Sequence, residues 1–283
     1  MPIGACYAAS MKPFPRLLVA GLRVFLILTA GSRLDAQALS RIERKVTFVQ
    51  QHKDDFDILF VGSSRVFHGL SPRIFDQVAA GNGYHWRSFN LGMDEMGMAQ
   101  SIDVIREVMA SHPARLKYVV FELEPGTGML AHRQGAGGPG APAPAGLGPL
   151  GPEGDGFFPM VKTMAPGIEA EYQQRLAKER EHPSHPAPND EVKATLENFA
   201  KDLAAANVQV VFLVAPSLKA AHGSGINAPR DCVLISFDDV VRYAPLYDEA
   251  NRPDAEHLNT RGAEIFSRLL AQEFVNAVHS TPR

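Results

Sequence analysis

The chain lacks the features that mark several large classes of protein. Its 283 residues include only two cysteines, Cys6 and Cys232, and no Cys-x-x-Cys pair, so the sequence predicts neither a disulfide framework nor a zinc site. With a formal net charge of −3, it gives no sign of the clustered basic surface that binds nucleic acid. Apolar runs of the roughly 20 residues that span a bilayer are missing too. The apolar fraction of 45% and the charged fraction of 21% are those of a globular protein with a sizeable core.

The N-terminal segment carries a shorter apolar run, at 17–30, which follows two basic residues and is broken by Arg23. A basic start and a short apolar region are typical of a secretory signal peptide, with the small residues at 36–38 as its cleavage site. An uncleaved membrane anchor fits nearly as well, and a helix buried on the domain is the remaining alternative. We therefore expect 1–34 to be a signal peptide or membrane anchor. The rest of the chain would then be extracytoplasmic, either secreted or periplasmic, or held at the inner membrane.

Beyond this segment, short β-rich apolar runs alternate with amphipathic helical patterns. Apolar residues at three- and four-residue steps predict a connecting helix over 35–52. Apolar runs then predict strands at 56–62, 87–92, 117–123, 208–216 and 232–237. Strands that are apolar on both faces and separated by helices imply a parallel sheet covered on both sides. The fold class is therefore α/β, and we expect a flavodoxin-like three-layer sandwich with a central parallel sheet of about five strands over 53–283.

A stretch at 134–156 interrupts this alternation, with nine glycines and five prolines. Such a composition does not build a packed core. Because it lies between the third strand and the helix before the fourth, we interpret it as a flexible insertion or the base of a mobile lid.

Polar residues follow the first predicted strand directly, as Gly62-Ser63-Ser64. In an open α/β sheet ligands bind beyond the carboxyl ends of the strands, so a serine here is exposed and the turn amides can face a developing negative charge. A serine nucleophile needs a histidine base and a group that orients this base. Near the C-terminus, Asp254 and His257 are three residues apart. On a tight turn that spacing lets the carboxylate reach Nδ1 and leaves Nε2 for the serine.

Each of these features also has a simpler interpretation. Serines after strands commonly cap turns, and Asp254 is placed to cap the helix that begins near Thr260. Because one feature follows the first strand and the other precedes the last helix, their combination favours a Ser-His-Asp triad.

These residues together resemble the SGNH (GDSL-like) hydrolase superfamily, from the first strand to the last helix. "VGSSR" is similar to the family's first block and places Ser64 at the nucleophile, with Ser63 in place of the usual aspartate. "FNLGMDEMG" resembles the second block, whose glycine donates an N–H to the oxyanion, and Gly92 is the matching residue. "RPDAEHLNTRGAEIFS" matches the last block and implies His257 as the base and Asp254 as its partner.

The chain departs from the family at the third block, which is normally Gly-x-Asn-Asp after the third strand. It has "VVFELEPGTG" there, so the asparagine that supplies another oxyanion donor is missing. Loss of one such donor costs about 10²–10³ in rate. The Gly-Ser-Ser form after a membrane-proximal helix looks more like the extracytoplasmic branch of the superfamily. That branch includes proteins that move acyl groups onto or off cell-surface polymers alongside a membrane acyltransferase.

The resemblance implies a serine esterase or O-acyltransferase that acts on acyl esters of a cell-surface glycan or a similar substrate. Ser64 would attack the ester carbonyl, His257 would take and return the proton, and Asp254 would orient the histidine. The amides of Ser64 and Gly92 would hold the oxyanion. The reaction needs no metal or organic cofactor, and a membrane acyltransferase is a candidate partner.

Two other functions fit part of the sequence. A catalytically weak SGNH-like domain that binds glycan or a partner protein agrees with the missing third block. The retained Ser64, Asp254 and His257 argue against it. An enzyme of the α/β-hydrolase fold agrees with the Ser–Asp–His order, but it requires Gly-x-Ser-x-Gly, and Val66 stands where the second glycine belongs.

Further polar residues lie near the predicted nucleophile. Arg65 is a candidate to bind a carboxylate or phosphate of the substrate, with a structural salt bridge as the alternative. His68 is either a second polar group of the site or a surface residue. Glu122 and Glu124 lie at the end of the third strand and share one face, and the sequence assigns them no chemical role.

Overall fold

A computed structural model of the chain describes residues 41–123, 150–182, 190–218, 229 and 232–280. The predicted signal peptide or anchor at 1–34 lies outside these residues, and so does Glu124. Among the helices that are described, none combines the length and the apolar character that crossing a membrane requires.

Each predicted strand is present, trimmed by one or more residues at its ends. The strands are β1 (Ile58–Val61), β2 (Ser88–Asn90), β3 (Tyr118–Glu122), β4 (Gln209–Val214) and β5 (Val233–Ser236). The helices are α1 (Arg41–Gln51), α2 (Ser64–Gly69), α3 (Pro72–Gly81), α4 (Met98–Met109), α5 (Pro166–Glu181), α6 (Asp190–Ala205) and α7 (Thr260–Ser280). Two 3-10 helices, Ala244–Tyr247 and Glu249–Asn251, precede α7.

The strands form one sheet in the order β2-β1-β3-β4-β5, and every pairing is parallel. This confirms the predicted α/β class with a central parallel sheet of five strands. The order is that of flavodoxin-like doubly wound folds, in which the winding reverses at β1 and opens a crevice between the carboxyl ends of β1 and β3. The residues that follow β1 therefore lie where open α/β sheets bind their ligands.

Helices cover both faces of the sheet because the strands are apolar on both. On one face, α1, α4 and α6 pack in a core that includes Val119 and Phe212. On the other face, α3, α5 and α7 pack in a core that includes Val120 and Leu213. Successive strand residues thus alternate between the two cores, as the pleat of a strand requires. The result is the three-layer sandwich that the sequence predicts.

Helix α1 packs on the domain, although the sequence assigns 35–52 to a connection. Its apolar face lies in the core, and it belongs to the same compact unit as the rest of the described chain. Lys45 is completely buried, and its Nζ donates to Gly92 O at 2.7 Å. Burial, with a further contribution from the Arg41 guanidinium, holds the pKa of Lys45 well below its usual value. Helix α1 therefore braces the loop that follows β2.

The end of the predicted flexible insertion is packed against the domain. Of the stretch 134–156, only 150–156 belongs to the described residues. Asp155 O accepts from Asn90 N at 2.9 Å. Gly156 has a φ of +86°, and a Cβ at this position would lie 2.1 Å from Asn90 O. Only glycine permits this backbone conformation at such close approach. A glycine is therefore required at position 156 for this segment to lie along β2.

Asp76, at the same edge of the sheet, confers a pH-dependent stability. Burial, partly offset by hydrogen bonds from Ser88 Oγ and N, raises the pKa of Asp76 to about 6. Because this folded pKa exceeds the unfolded value, the stabilising contribution of Asp76 is complete below about pH 4 and is lost as the pH rises through about 6. Between pH 4 and pH 7 we expect the free energy of unfolding to fall by about 1–3 kcal/mol less in the Asp76→Asn variant than in the wild type. Urea denaturation at a series of pH values measures this fall in both proteins. An equal fall in the two would contradict a raised pKa for Asp76.

Candidate active site

The turn after β1 presents Ser64, and not Ser63, to the carboxyl edge of the sheet. Ser63 is buried and caps the short helix α2, since its Oγ accepts from Arg65 N at 3.3 Å. Ser64 is the first residue of α2 and is partly exposed. The sequence indicates only a turn here, because the six residues of α2 are too few to show a helical apolar period.

The three residues predicted to be catalytic lie in contact with one another. Ser64 Oγ is 2.8 Å from His257 Nε2. On the other side of the ring, His257 Nδ1 is 2.9 Å from Asp254 Oδ2. Because an ionised carboxylate can only accept, Nδ1 carries the proton and Nε2 is left to accept the proton of the serine. This is the connectivity of a Ser-His-Asp triad.

Asp254 closes a tight turn as well as orienting the imidazole. Its Oδ1 accepts from Glu256 N at 2.7 Å and from His257 N at 2.8 Å. Burial on its own raises the pKa of Asp254, but the hydrogen bonds from the His257 side chain and from these two amides outweigh it. Together they hold the pKa of Asp254 well below its usual value. The carboxylate is therefore ionised at neutral pH.

Two residues that the sequence did not single out hold the turn that contains Asp254 and His257. Arg252 is fully buried, and its guanidinium donates to the backbone carbonyls of Pro216, Leu246, Asp254 and Ala255. Asn259 Oδ1 accepts from two amides in the first turn of α7, both at 3.1 Å. Helix α7 is thus capped by Asn259 and not by Asp254. The signal for Arg252 was its place at the start of the last block.

The two predicted oxyanion donors differ in their availability. Gly92 N donates to Asn90 Oδ1 at 2.8 Å, so this amide already has an acceptor. Asn90 is itself fixed, because its Nδ2 donates to Val66 O at 2.8 Å and to Leu70 O at 2.7 Å. Within the described residues, no acceptor engages the Ser64 amide. The Ser64 N–H is therefore the better placed donor of the two.

Gly92 has a packing role that is independent of any oxyanion. A Cβ at this position would lie 2.6 Å from Phe67 N in α2, so the close approach of the two segments requires glycine. From the other side, Lys45 Nζ binds the Gly92 carbonyl and lies 4.4 Å from the centroid of the Phe67 ring. The loop after β2 is thus clamped between α1 and α2.

His68 and Asp94 lie beside the triad. His68 follows Ser64 by one helical turn, and its ring centroid is 6.3 Å from that of His257. Nδ1 of His68 donates to Phe158 O at 2.6 Å, and its Nε2 is 2.9 Å from Asp94 Oδ1. Burial raises the pKa of Asp94, but the hydrogen bond and the electrostatic interaction with His68, together with the Arg41 guanidinium, outweigh it and lower the pKa. Asp94 carried no signal in the sequence beyond its place in the second motif.

Arg65 forms a buried ion pair with Glu122 at the end of β3. Arg65 Nε donates to Glu122 Oε1 at 2.6 Å, and the two side chains are 8% and 0% exposed. This contact is the structural salt bridge that the sequence offers as one interpretation of Arg65. The second oxygen of Glu122, Oε2, accepts from Ser63 N at 2.6 Å. Glu122 therefore lies against the turn that carries Ser63 and Ser64.

Comparison with protein-family models finds no match for the chain, and comparison with curated proteins finds none either. Within the described ranges there is no group of three or more side chains that could hold a metal ion. The motifs and the geometry of the site itself are therefore the basis for the function proposed next.

Proposed function

We propose that the chain is a serine-dependent esterase or O-acyltransferase of the SGNH-like type. The observation that carries this proposal is the contact of Ser64 Oγ with His257 Nε2 at 2.8 Å, together with that of His257 Nδ1 with Asp254 at 2.9 Å. A nucleophile within reach of a base, with the base oriented by a third group, is the arrangement that activates a serine. The place of Ser64 at the switch point of the sheet supports the same function.

In the proposed reaction, Ser64 Oγ attacks the carbonyl carbon of an acyl ester while His257 Nε2 takes the hydroxyl proton. The Ser64 N–H donates to the tetrahedral oxyanion, and the Asp254 carboxylate stabilises the imidazolium. His257 then gives the proton to the leaving oxygen as the ester C–O bond breaks, and the acyl group stays on Ser64. Water or an acceptor hydroxyl, activated by His257 in the same way, releases the acyl group.

The proposed substrates are acyl esters of a cell-surface glycan or similar polymer, outside the cytoplasm. This part of the proposal rests on the sequence motifs and on the apolar segment within 1–34. On the same basis, the proposed partner is a membrane acyltransferase. Hydrolysis and transfer share every step except the last, in which the acceptor is either water or a hydroxyl group.

A second candidate function is a binding domain of the same fold with weak catalysis or none. The observation that favours it is the Gly92 amide, which already donates to Asn90 Oδ1 at 2.8 Å. The missing third-block asparagine points the same way. Such a domain would keep the crevice without an activated serine.

An activity-based probe separates these two functions. We expect a fluorophosphonate to label the full chain, and we expect the labelling to be lost in Ser64→Ala and kept in Ser63→Ala. Ser63→Ala is the matched control, because it removes the neighbouring hydroxyl and costs only the helix cap, about 1 kcal/mol of stability. If folded wild-type protein is not labelled, the esterase proposal is wrong and the binding domain is favoured.

A further inference from the structure

We infer that Glu122 is a positioning residue whose carboxylate holds the nucleophile turn on both sides of Ser64. This role rests on the proposed esterase function. Glu122 Oε2 accepts from Ser63 N at 2.6 Å, and Oε1 accepts from Arg65 Nε at 2.6 Å. The two donors belong to the residues directly before and after the nucleophile. One buried carboxylate therefore spans the turn.

The shape of the turn is matched to Glu122. Val61 and Phe121 are register partners in the parallel pairing of β1 and β3. The residues that follow them, Gly62 and Glu122, therefore lie side by side. A Cβ at Gly62 would lie 2.4 Å from Glu122 Oε2 and 2.5 Å from Glu122 Cβ. The glycine before Ser63 is thus the residue that makes room for the carboxylate.

The hydrogen bonds of the turn leave one amide for the substrate. Ser63 N donates to Glu122, and Arg65 N donates to Ser63 Oγ. In the part of the chain that the structure describes, Ser64 N has no acceptor. With the Ser63 amide and the Arg65 side chain held by Glu122, the Ser64 N–H is preorganised for the oxyanion while Ser64 Oγ faces His257. Preorganised donors act on the charge that develops in the transition state, so their loss lowers kcat more than it changes KM.

The test compares Glu122→Gln with a matched variant at the other end of β1. Asp57 is a second buried carboxylate, 1% exposed, and it binds Arg115 Nε at 3.0 Å and Lys117 Nζ at 3.1 Å. Asp57→Asn likewise alters a buried carboxylate that accepts from a guanidinium and from a backbone amide, without touching the site. In Glu122→Gln the side chain keeps only one acceptor oxygen. Its new amide nitrogen therefore lies against one of the two donors, Ser63 N or Arg65 Nε.

We expect Glu122→Gln to lower kcat for p-nitrophenyl acetate by about 10²-fold, the effect of a displacement of about 1 Å in a site. KM should change by less than about twofold, because ground-state binding is not affected. Asp57→Asn should also lower the melting temperature, and it should leave kcat unchanged. If the two variants lose kcat equally at the same folded fraction, Glu122 has only a structural role and the inference is wrong.

If Glu122→Gln does not fold, Arg65→Lys provides the same test. This variant keeps both charges of the ion pair and changes only its geometry. Lysine is a point charge that cannot reproduce the planar fork of the guanidinium. A fall in kcat at constant KM would support the positioning role. A rise in KM at constant kcat would assign Arg65 to substrate binding and overturn its part in holding the turn.

Amide hydrogen exchange separates this inference from the proposed function, because it requires no substrate. Faster exchange of the Ser63 amide in Glu122→Gln than in Asp57→Asn supports the positioning role. In a protein that no fluorophosphonate labels, faster exchange would show that Glu122 holds the turn, while the esterase proposal would fail. Unchanged exchange at Ser63 in a labelled protein overturns the role of Glu122 and leaves the esterase proposal standing.

Discussion

Replacement of Ser64 by alanine is expected to reduce kcat for ester hydrolysis by about 10⁴–10⁶-fold. Ser64 Oγ is the hydroxyl that contacts the proposed base, at 2.8 Å from His257 Nε2. The neighbouring Ser63 is buried, and its Oγ accepts from Arg65 N, so it does not substitute. Without Ser64 Oγ no acyl-enzyme forms, and the residual rate comes from substrate binding and the oxyanion donor alone.

Steady-state hydrolysis of p-nitrophenyl acetate by Ser64→Ala, His257→Ala and the double variant tests this expectation. Residues of a triad act as a unit, so the double variant should be about as slow as either single variant. Ser63→Ala should keep most of the wild-type kcat. If Ser64→Ala stays active, or if the two losses multiply in the double variant, the proposed triad is wrong.

Replacement of Asp254 by asparagine is expected to reduce kcat by about 10⁴-fold in a protein that still folds. Asparagine keeps the oxygen that accepts from Glu256 N and His257 N, so the turn survives. Its amide nitrogen then faces His257 Nδ1, which favours the tautomer with the proton on Nε2. In that tautomer, Nε2 cannot accept from Ser64, and the imidazolium has lost its carboxylate partner.

The pH dependence of stability checks the charge state of Asp254 separately. Hydrogen bonds hold the pKa of this carboxyl well below its usual value. A lowered folded pKa contributes stability above the unfolded pKa of about 3.9 and loses it as the pH falls toward the folded pKa. The melting temperature of the wild type should therefore exceed that of Asp254→Asn by a constant margin from pH 7 to about pH 4. This margin should shrink only below pH 4. An advantage that already vanishes above pH 5 would contradict an ionised Asp254.

The helices and strands were predictable from the sequence wherever buried apolar residues recur at regular steps or form a continuous run. The runs at 117–123 and 208–216 became β3 and β4 because both faces of each strand are buried. Each strand is shorter than its run at both ends, by one residue for β3 and by one or two for β4. Helix α2 was not predictable, because its six residues are placed by the Ser63 cap and by packing and show no periodic pattern.

The geometry of the candidate site was predictable where it depends on residue type and local spacing. Asp254 and His257 are three residues apart, and the tight turn between them follows from that spacing. The contact of Glu122 with Ser63 joins residues 59 positions apart, and it depends on the register of β1 and β3. Likewise, the four carbonyls that Arg252 binds come from several segments. Contacts that only the assembled fold creates have no local signature in the chain.

In the proposed esterase, the order of the elements along the chain sets the moment at which Ser64 becomes reactive. Ser64 and His257 are 193 positions apart, and the start of α3 is joined to α7 by a hydrogen bond from Ser71 N to Ser267 Oγ at 2.9 Å. Contacts of such high sequence separation form late in folding, because the chain must first close a long loop. During its synthesis, the chain therefore carries Ser64 as an ordinary alcohol. In the proposed esterase the reactive state begins only when α7 docks, so a partly made or C-terminally clipped protein would not form the acyl-enzyme.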